Sequence, residues 1–381
     1  MKKKISIIII CSLLLCGCNI QERSDVKSIS MENAKTVIPS VVFDSVDITP
    51  LELNENTYFK GVRNLSYDGK RFVVCDNRNI LYTFSSKGEF IASSERKLGN
   101  GHGEYSVVTA YSYNSFSESI EIATPTGILF YDSNFNLKKY INLSEIFDCK
   151  DEPKLVRSIS DISDHEHLLL SDPESDTKHV AYVFDSNTNS IKKQITIEDE
   201  TCVPITMQSS LLFNRQGREA MFYPPLSSNY VYAFDMDKYS FTRKFFCDFG
   251  KDGLSTGEIK NCHTNKEKFS DLLLASNKLI PIKCMATGNK ILMLVKRGSK
   301  ANEWMTFCVD TKDYSVCAIP HTNKESLRMF PIYGTVHDNA VFTVVPACEA
   351  KELVENFNET NGSDKECIDD GAMVILKYRF R

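Results

Sequence analysis

The 381-residue sequence has a single tryptophan, only seven histidines and no Cys-x-x-Cys pair. Without that pair, zinc-ribbon and thioredoxin-like chemistry has neither ligands nor a redox centre. His-Glu-x-x-His, Gly-x-Ser-x-Gly and Gly-Lys-Ser/Thr are also missing, so zincin, α/β-hydrolase and P-loop readings lack support. Lys and Arg form no dense block beyond Lys4, and the formal charge is −5, which argues against a nucleic-acid partner. The longest apolar stretch, ISIIIICSLLLC at 5–16, is too short to span a bilayer as a helix. At 42% hydrophobic and 25% charged residues, the chain is neither disordered nor a polytopic membrane protein.

What is present begins with an address. Lys2, Lys3 and Lys4 precede the apolar stretch as a basic n-region, and the stretch has the length of a secretory h-region. It ends in Leu15-Cys16-Gly17-Cys18, which resembles a bacterial lipobox. The match makes 1–17 a lipoprotein signal peptide and Cys18 the lipid-attachment residue. Large Leu15 in front of Cys16 disfavours that cysteine. Cleavage removes three lysines and no acidic residue, moving the formal charge from −5 to −8. Several acyl chains on Cys18 give a stable anchor in the bilayer. Residues 18–40 are polar and without period, and are read as a flexible tether. Asp44-Ser45-Val46 matches a short O-glycosylation pattern of Bacteroidota, but a strand start explains it better.

Ten cysteines lie beyond Cys18, most of them inside apolar runs such as FVVCD, KFFCDF and SVCAI. Cys behaves there as a small buried hydrophobe, so free thiols are expected. Cys308 and Cys317 are the pair best placed to face each other across a hairpin.

The body of the chain repeats. Segments 71–95, 119–143, 167–197, 219–246 and 291–319 each carry a β-rich run, a turn, an aromatic or β-branched run, a polar turn and a last strand. Ser85, Asp132, Asp185, Asp235 and Asp310 occupy the same place in the polar turn. A sixth unit is split between 340–347 and 372–381, and a further short strand, such as NLSYD at 64–68 or SLLFN at 210–214, precedes each unit. Four strands every 40–55 residues is the arrangement of a β-propeller blade. The expected fold is therefore an all-β six-bladed propeller spanning 41–381. The leftover strand at 41–53 would complete the last blade and so tie the ring shut.

Helical spacing and a Thr264-x-x-Glu267 capping pattern point to a helix in an insert at 255–279. A second insert, 349–371, holds eight acidic residues and two lysines and suggests a helical turn followed by a solvated acidic loop. It lacks EF-hand spacing.

KLGNGHGEYS, 97–106, brings Gly99, Gly101, Gly103, Glu104 and Tyr105 together. The spacing is GxGxG, and β-rich sequence follows in place of a helix, so a dinucleotide loop is not indicated. The stretch reads as a blade connector, with a ligand loop as the alternative. Together with the lipobox and the Phe/Tyr-Asp blade turns, it resembles the six-bladed propeller lipoproteins of Bacteroidota, within the TolB-like or NHL-like group. Relatives often carry a proline where this chain has His102. The resemblance implies a fold and an outer-membrane address, periplasmic or surface-exposed, more than a reaction.

DISDHEH, 161–167, has ligand-type residues but reads as a surface turn. No catalytic residues, metal ligands or cofactor are assigned. The function expected is an envelope-anchored module that binds a protein, peptide or glycan on one propeller face. The alternative is a metal-dependent, lactonase-like hydrolase or lyase with a site at the channel mouth.

Overall fold

The computed structural model describes residues 26–52, 54, 57–58, 61–147, 155–171, 178–203, 212–224, 227–264, 277–297, 303–321, 334–358 and 372–381. Cys18 and the expected signal peptide, 1–17, lie outside these residues. Six antiparallel sheets form the six blades of a propeller. Their inner strands are Val62–Tyr67, Ala110–Asn114, Val156–Asp161, Leu212–Gln216, Leu279–Thr287 and Thr335–His337.

The packing explains why the second and third strands of each blade read as unbroken apolar runs. Successive side chains on a strand point to opposite faces, and here both faces are covered by neighbouring blades. In blade 3, Leu168, Leu170, Ala181 and Val183 pack toward blade 4, while Leu169, Val180, Tyr182 and Phe184 pack toward blade 2. Six such apolar layers, one per junction, form the core. A single blade would leave both faces wet, so the ring is the smallest unit that buries them.

The five turn anchors share one geometry. Ser85 Oγ and a carboxylate oxygen of Asp132, Asp185, Asp235 and Asp310 each accept the backbone N–H two residues on, at 2.9–3.2 Å. This local bond sets the hairpin between the third and fourth strands. It also holds Asp310 down at about 2, where burial is outweighed by the Lys290 ammonium and the turn's donors.

Blade 6 closes the ring as the sequence leads one to expect. Its fourth strand is Phe43–Pro50, from the other end of the chain, paired antiparallel with Met373–Phe380. Asp44-Ser45-Val46 lies within that strand.

The expected tether is corrected. Lys27–Ser30 runs parallel to the outer strand of blade 4, and Lys35–Thr36 runs parallel to that of blade 5. Ile29 and Met31 are buried, and the Met31 N–H donates to the Asp248 carbonyl at 2.7 Å. Ile29 and Met31 alternate with polar Ser28 and Ser30, a short period-two signal hidden in polar surroundings. The segment covers two sheet edges that would otherwise be open to other chains.

The inserts also differ in detail. The helix of the first is Thr256–Thr264, ahead of the expected position, and the Glu267 capping partner lies outside the described residues. Its N-terminus uses Ser255 and Glu258. The Glu258 carboxylate accepts the Ser255 N–H and hydroxyl, both at 2.7 Å, and Ser255 Oγ accepts the Glu258 N–H at 3.3 Å. In the second insert, Ala347–Asn358 is helical and buries Ala350, Leu353 and Phe357 against blades 5 and 6. The acidic residues from 359 to 370 lie outside the described residues.

Cys308 and Cys317 do face each other across the outer strands of blade 5, and both are free thiols.

Candidate functional site

Each inner strand starts at the connector from the preceding blade and ends in a hairpin turn to the second strand. All six converge on the propeller axis, where they line a cavity of about 570 Å3. That volume lies within the usual range for small-ligand sites. The lining runs down the strands to their hairpin turns and includes Tyr67, Tyr113, Phe116, Arg215, Lys283 and His337.

Consecutive inner-strand residues pack into the layers on either side of the blade, as Leu212 and Phe213 do, and Tyr67 and Tyr113 reach the cavity from such layers. The hairpin turns are tied to one another across blade junctions. Asn214 Nδ2 donates to the Gly288 carbonyl at 2.8 Å, and the Asn339 N–H donates to Thr287 Oγ1 at 3.0 Å. Arg215 reaches from blade 4 to the backbone carbonyls of Asp161 and Ile162 in blade 3. Its guanidinium also lies 5.4 Å from the centre of the Phe116 ring in blade 2. Phe116 is 56% exposed, an aromatic face open at the rim. Tyr67 stacks on Phe72 at 4.2 Å and meets His337 edge-on at 5.3 Å. The wall thus combines fixed aromatic faces with cationic and carboxylate groups.

Lys283 is buried on the inner strand of blade 5, and its ammonium donates to the Gly334 carbonyl at 3.0 Å. Burial pulls it down to about 7 from the ordinary lysine value.

The glycine stretch lies elsewhere. It runs from the outer strand of blade 1, Phe90–Ser93, to the inner strand of blade 2, Ala110–Asn114, at the connector end of the strands. None of Gly99, Gly101, Gly103, Glu104 or Tyr105 lines the cavity. Glu104 folds back over its own loop, where one carboxylate oxygen accepts the Gly101 N–H at 2.9 Å. A Cβ on Gly99 would sit 2.1 Å from that oxygen. Gly103 has φ +73°, and Tyr131 of the next blade donates to its carbonyl at 2.9 Å. Tyr105 is buried, with its hydroxyl 2.5 Å from Ser94 Oγ and 3.1 Å from the Asn79 carbonyl. His102 is exposed.

Gly103→Ala is expected to destabilise the protein by roughly 1–2 kcal/mol, the cost of an L-residue at positive φ. Glu104→Gln should cost less, because its carboxylate is exposed. Urea denaturation midpoints check this order, and equal midpoints would show that the loop is not held by its backbone.

Sequence reasoning placed the 161–167 stretch on a surface turn, and the structure corrects this. Glu166–Ser171 is a strand, and His167 is fully buried on it. The turn ends at His165, which pairs with Asp164 at 2.6 Å. His167 Nδ1 lies 2.9 Å from Glu121 Oε2 and 3.8 Å from Asp161 Oδ1. Burial alone would depress the His167 imidazole, but the two carboxylates outweigh it and hold it up at about 10. Burial pushes Glu121 up to about 7, although His167 draws it down. One signal for this cluster was present in the sequence: Glu121 is a lone charge inside SIEIA, an otherwise buried strand.

A second contact of catalytic residue types, His179 Nε2 to Cys202 Sγ at 3.3 Å, has no reactive character. Both residues are fully buried, and burial pushes the Cys202 thiol well up, away from thiolate.

Two solved structures share the architecture. A protein of Bacteroides fragilis described as exported has a TM-score of 0.70 at 16% identity, covering 93% of this chain and 100% of its own. A DUF4221 family member from Bacteroides vulgatus has a TM-score of 0.56 at 11% identity, covering 89% and 98%. At these identities the likeness is one of fold. No curated protein matches the chain. The model of the family described as a domain of unknown function, DUF4934, matches residues 22–371, and the chain belongs to that family.

Proposed function

We propose that this protein is an envelope-anchored propeller of the TolB-like or NHL-like kind, held at the outer membrane by lipid on Cys18. It takes a short glycan or peptide segment, free or displayed on a partner protein, into its axial cavity. The observation that carries this reading is the cavity itself. Six blades contribute to one concave wall in which the Tyr67, Tyr113 and Phe116 rings stand beside charged groups. Rigid aromatic faces supply contact area at low entropic cost, and polar groups around them orient a ligand. The anchor suits such a role. Lys27 already lies on blade 4, and nine extended residues from Cys18 span at most about 30 Å. The propeller would therefore stay close to the membrane surface.

The test is binding of mature protein to glycan and peptide panels. A ligand should be found whose affinity falls about tenfold or more in Phe116→Ala and Tyr113→Ala, with Glu104→Gln unchanged. Binding indifferent to both aromatic substitutions would sink the cavity reading. Palmitate labelling and membrane fractionation of Cys18→Ser check the anchor, since both should be lost together.

A further inference from the structure

The cluster at the junction of blades 2 and 3 has the features of a ligand set. Glu121 comes from the second strand of blade 2, Asp161 from the end of the inner strand of blade 3, and His167 from the second strand of blade 3. The three residues are 0%, 6% and 0% exposed, and one ligand atom from each lies within 4.8 Å of the others.

Their hydrogen bonding is one-sided. Glu121 Oε1 accepts from Asn114 Nδ2 at 3.0 Å and from Ser119 Oγ at 3.5 Å. Asp161 Oδ2 accepts from Ser112 Oγ at 3.2 Å. The other oxygens, Glu121 Oε2 and Asp161 Oδ1, have no hydrogen-bond partner, and neither has either ring nitrogen of His167. The 2.9 Å approach of Nδ1 to Oε2 has ion-pair distance, but the ring N–H is not aimed along it. Outer groups thus hold each carboxylate by one oxygen and turn the other toward a shared point, as second-shell partners do around a metal.

The spacing fits an ion. Tetrahedral ligands bound at about 2.0–2.1 Å stand about 3.4 Å apart. The two separations from His167 Nδ1, 2.9 and 3.8 Å, fall either side of that value. The charge also fits, since two carboxylates and a neutral imidazole match one divalent cation. One imidazole with two carboxylates suits zinc or manganese better than a soft thiophilic ion.

We propose that Glu121 Oε2, Asp161 Oδ1 and His167 Nδ1 bind one divalent ion, Zn2+ or Mn2+, with water completing the shell from the axial cavity. Asp161 is the link, since it also lines that cavity. The site lies off the axis, between two blades, and does not depend on the ligand reading above. The competing arrangement is a metal-free ion-pair network in which imidazolium His167 and nearby Arg215 balance the carboxylates.

Mature full-length protein, stripped with EDTA and loaded with Mn2+ alone, provides the cleanest test, because cysteine thiolates compete poorly for this hard ion. After desalting, about one equivalent per chain is expected, with a nitrogen coupling from one imidazole in the pulsed EPR spectrum. A parallel Zn2+ loading should raise the thermal midpoint. Glu121→Gln and His167→Gln should each weaken binding at least tenfold, whereas Glu166→Gln, one residue away and paired with Lys192, should not. Ser112→Ala, which keeps all three ligands, should weaken it less. The EPR measurement on unmodified protein stands even where a substitution prevents folding. Substoichiometric metal, binding without a nitrogen coupling, or equal binding by Glu121→Gln overturns the proposal in favour of the ion-pair network.

Discussion

Phe43→Ala is expected to cost about 3–5 kcal/mol, the range for truncating a fully buried phenylalanine. Phe43 is 0% exposed and lies 5.4 Å from the Tyr378 ring and 4.9 Å from the Phe380 ring, centre to centre. It sits where the two ends of the chain meet, opposite Phe380 in the register of blade 6. The loss therefore falls on ring closure. Once the closing strand loosens, the Met373–Phe380 edge and the layer between blades 5 and 6 are exposed together. The Asp47–Arg379 pair on the same strand, at 2.9 Å, is about half-exposed on both sides and should contribute under about 1 kcal/mol. Urea denaturation of Phe43→Ala and Asp47→Asn separates the two. A Phe43→Ala loss below that of Asp47→Asn would show that closure does not rest on this packing.

Lys283→Met should change how stability depends on pH. With the folded value near 7 and the ordinary value at 10.5, the unfolded chain binds one more proton than the folded chain between those limits. Stability from this group therefore rises with pH across the window, by up to about 1.4 kcal/mol per pH unit. Below pH 7 both states are charged, and the folded protein bears the full cost of the buried ammonium. Relative to Lys283→Met, the unmodified protein should gain on the order of 2–3 kcal/mol between pH 7 and pH 9. Methionine also leaves the Gly334 carbonyl without this donor, a loss that does not vary with pH. Buried thiols and phenols such as Cys75 and Tyr82, both pushed up to about 12, act in the opposite direction at alkaline pH. They are common to both proteins and cancel in the difference. A pH-independent difference would mean that Lys283 stays charged in the fold.

These effects rest on features of unequal visibility in the sequence. The closing strand was legible because VVFDSVDITPLEL has strand character and no partner within its own unit. The turn anchors were legible because Asp and Ser act on their own backbone two residues away, a local interaction. Lys283 was not legible. It follows Pro281 and Ile282 in a strand whose alternation is broken by a register shift between Pro281 and Lys283. Only the packed ring shows that it is buried. Ile29 and Met31 were missed because a four-residue strand, with Met31 just past its end, is too short to stand out from polar neighbours. His167 was misplaced because DISDHEH has turn composition, and the last of its residues already belong to a buried strand.

The sequence by itself determined the repeat, the number of blades and the way the ring closes. Each of these depends on periodicity or on bonds within a few residues. Only the tertiary structure decided what meets at the axis and at the blade junctions. Arg215, Phe116 and Lys283 come from three blades, and Glu121, Asp161 and His167 from two. Their distances along the chain carry no information about their distances in space. In a ring, strands far apart in sequence share one axis, so the axial cavity exists only once all six blades are in place.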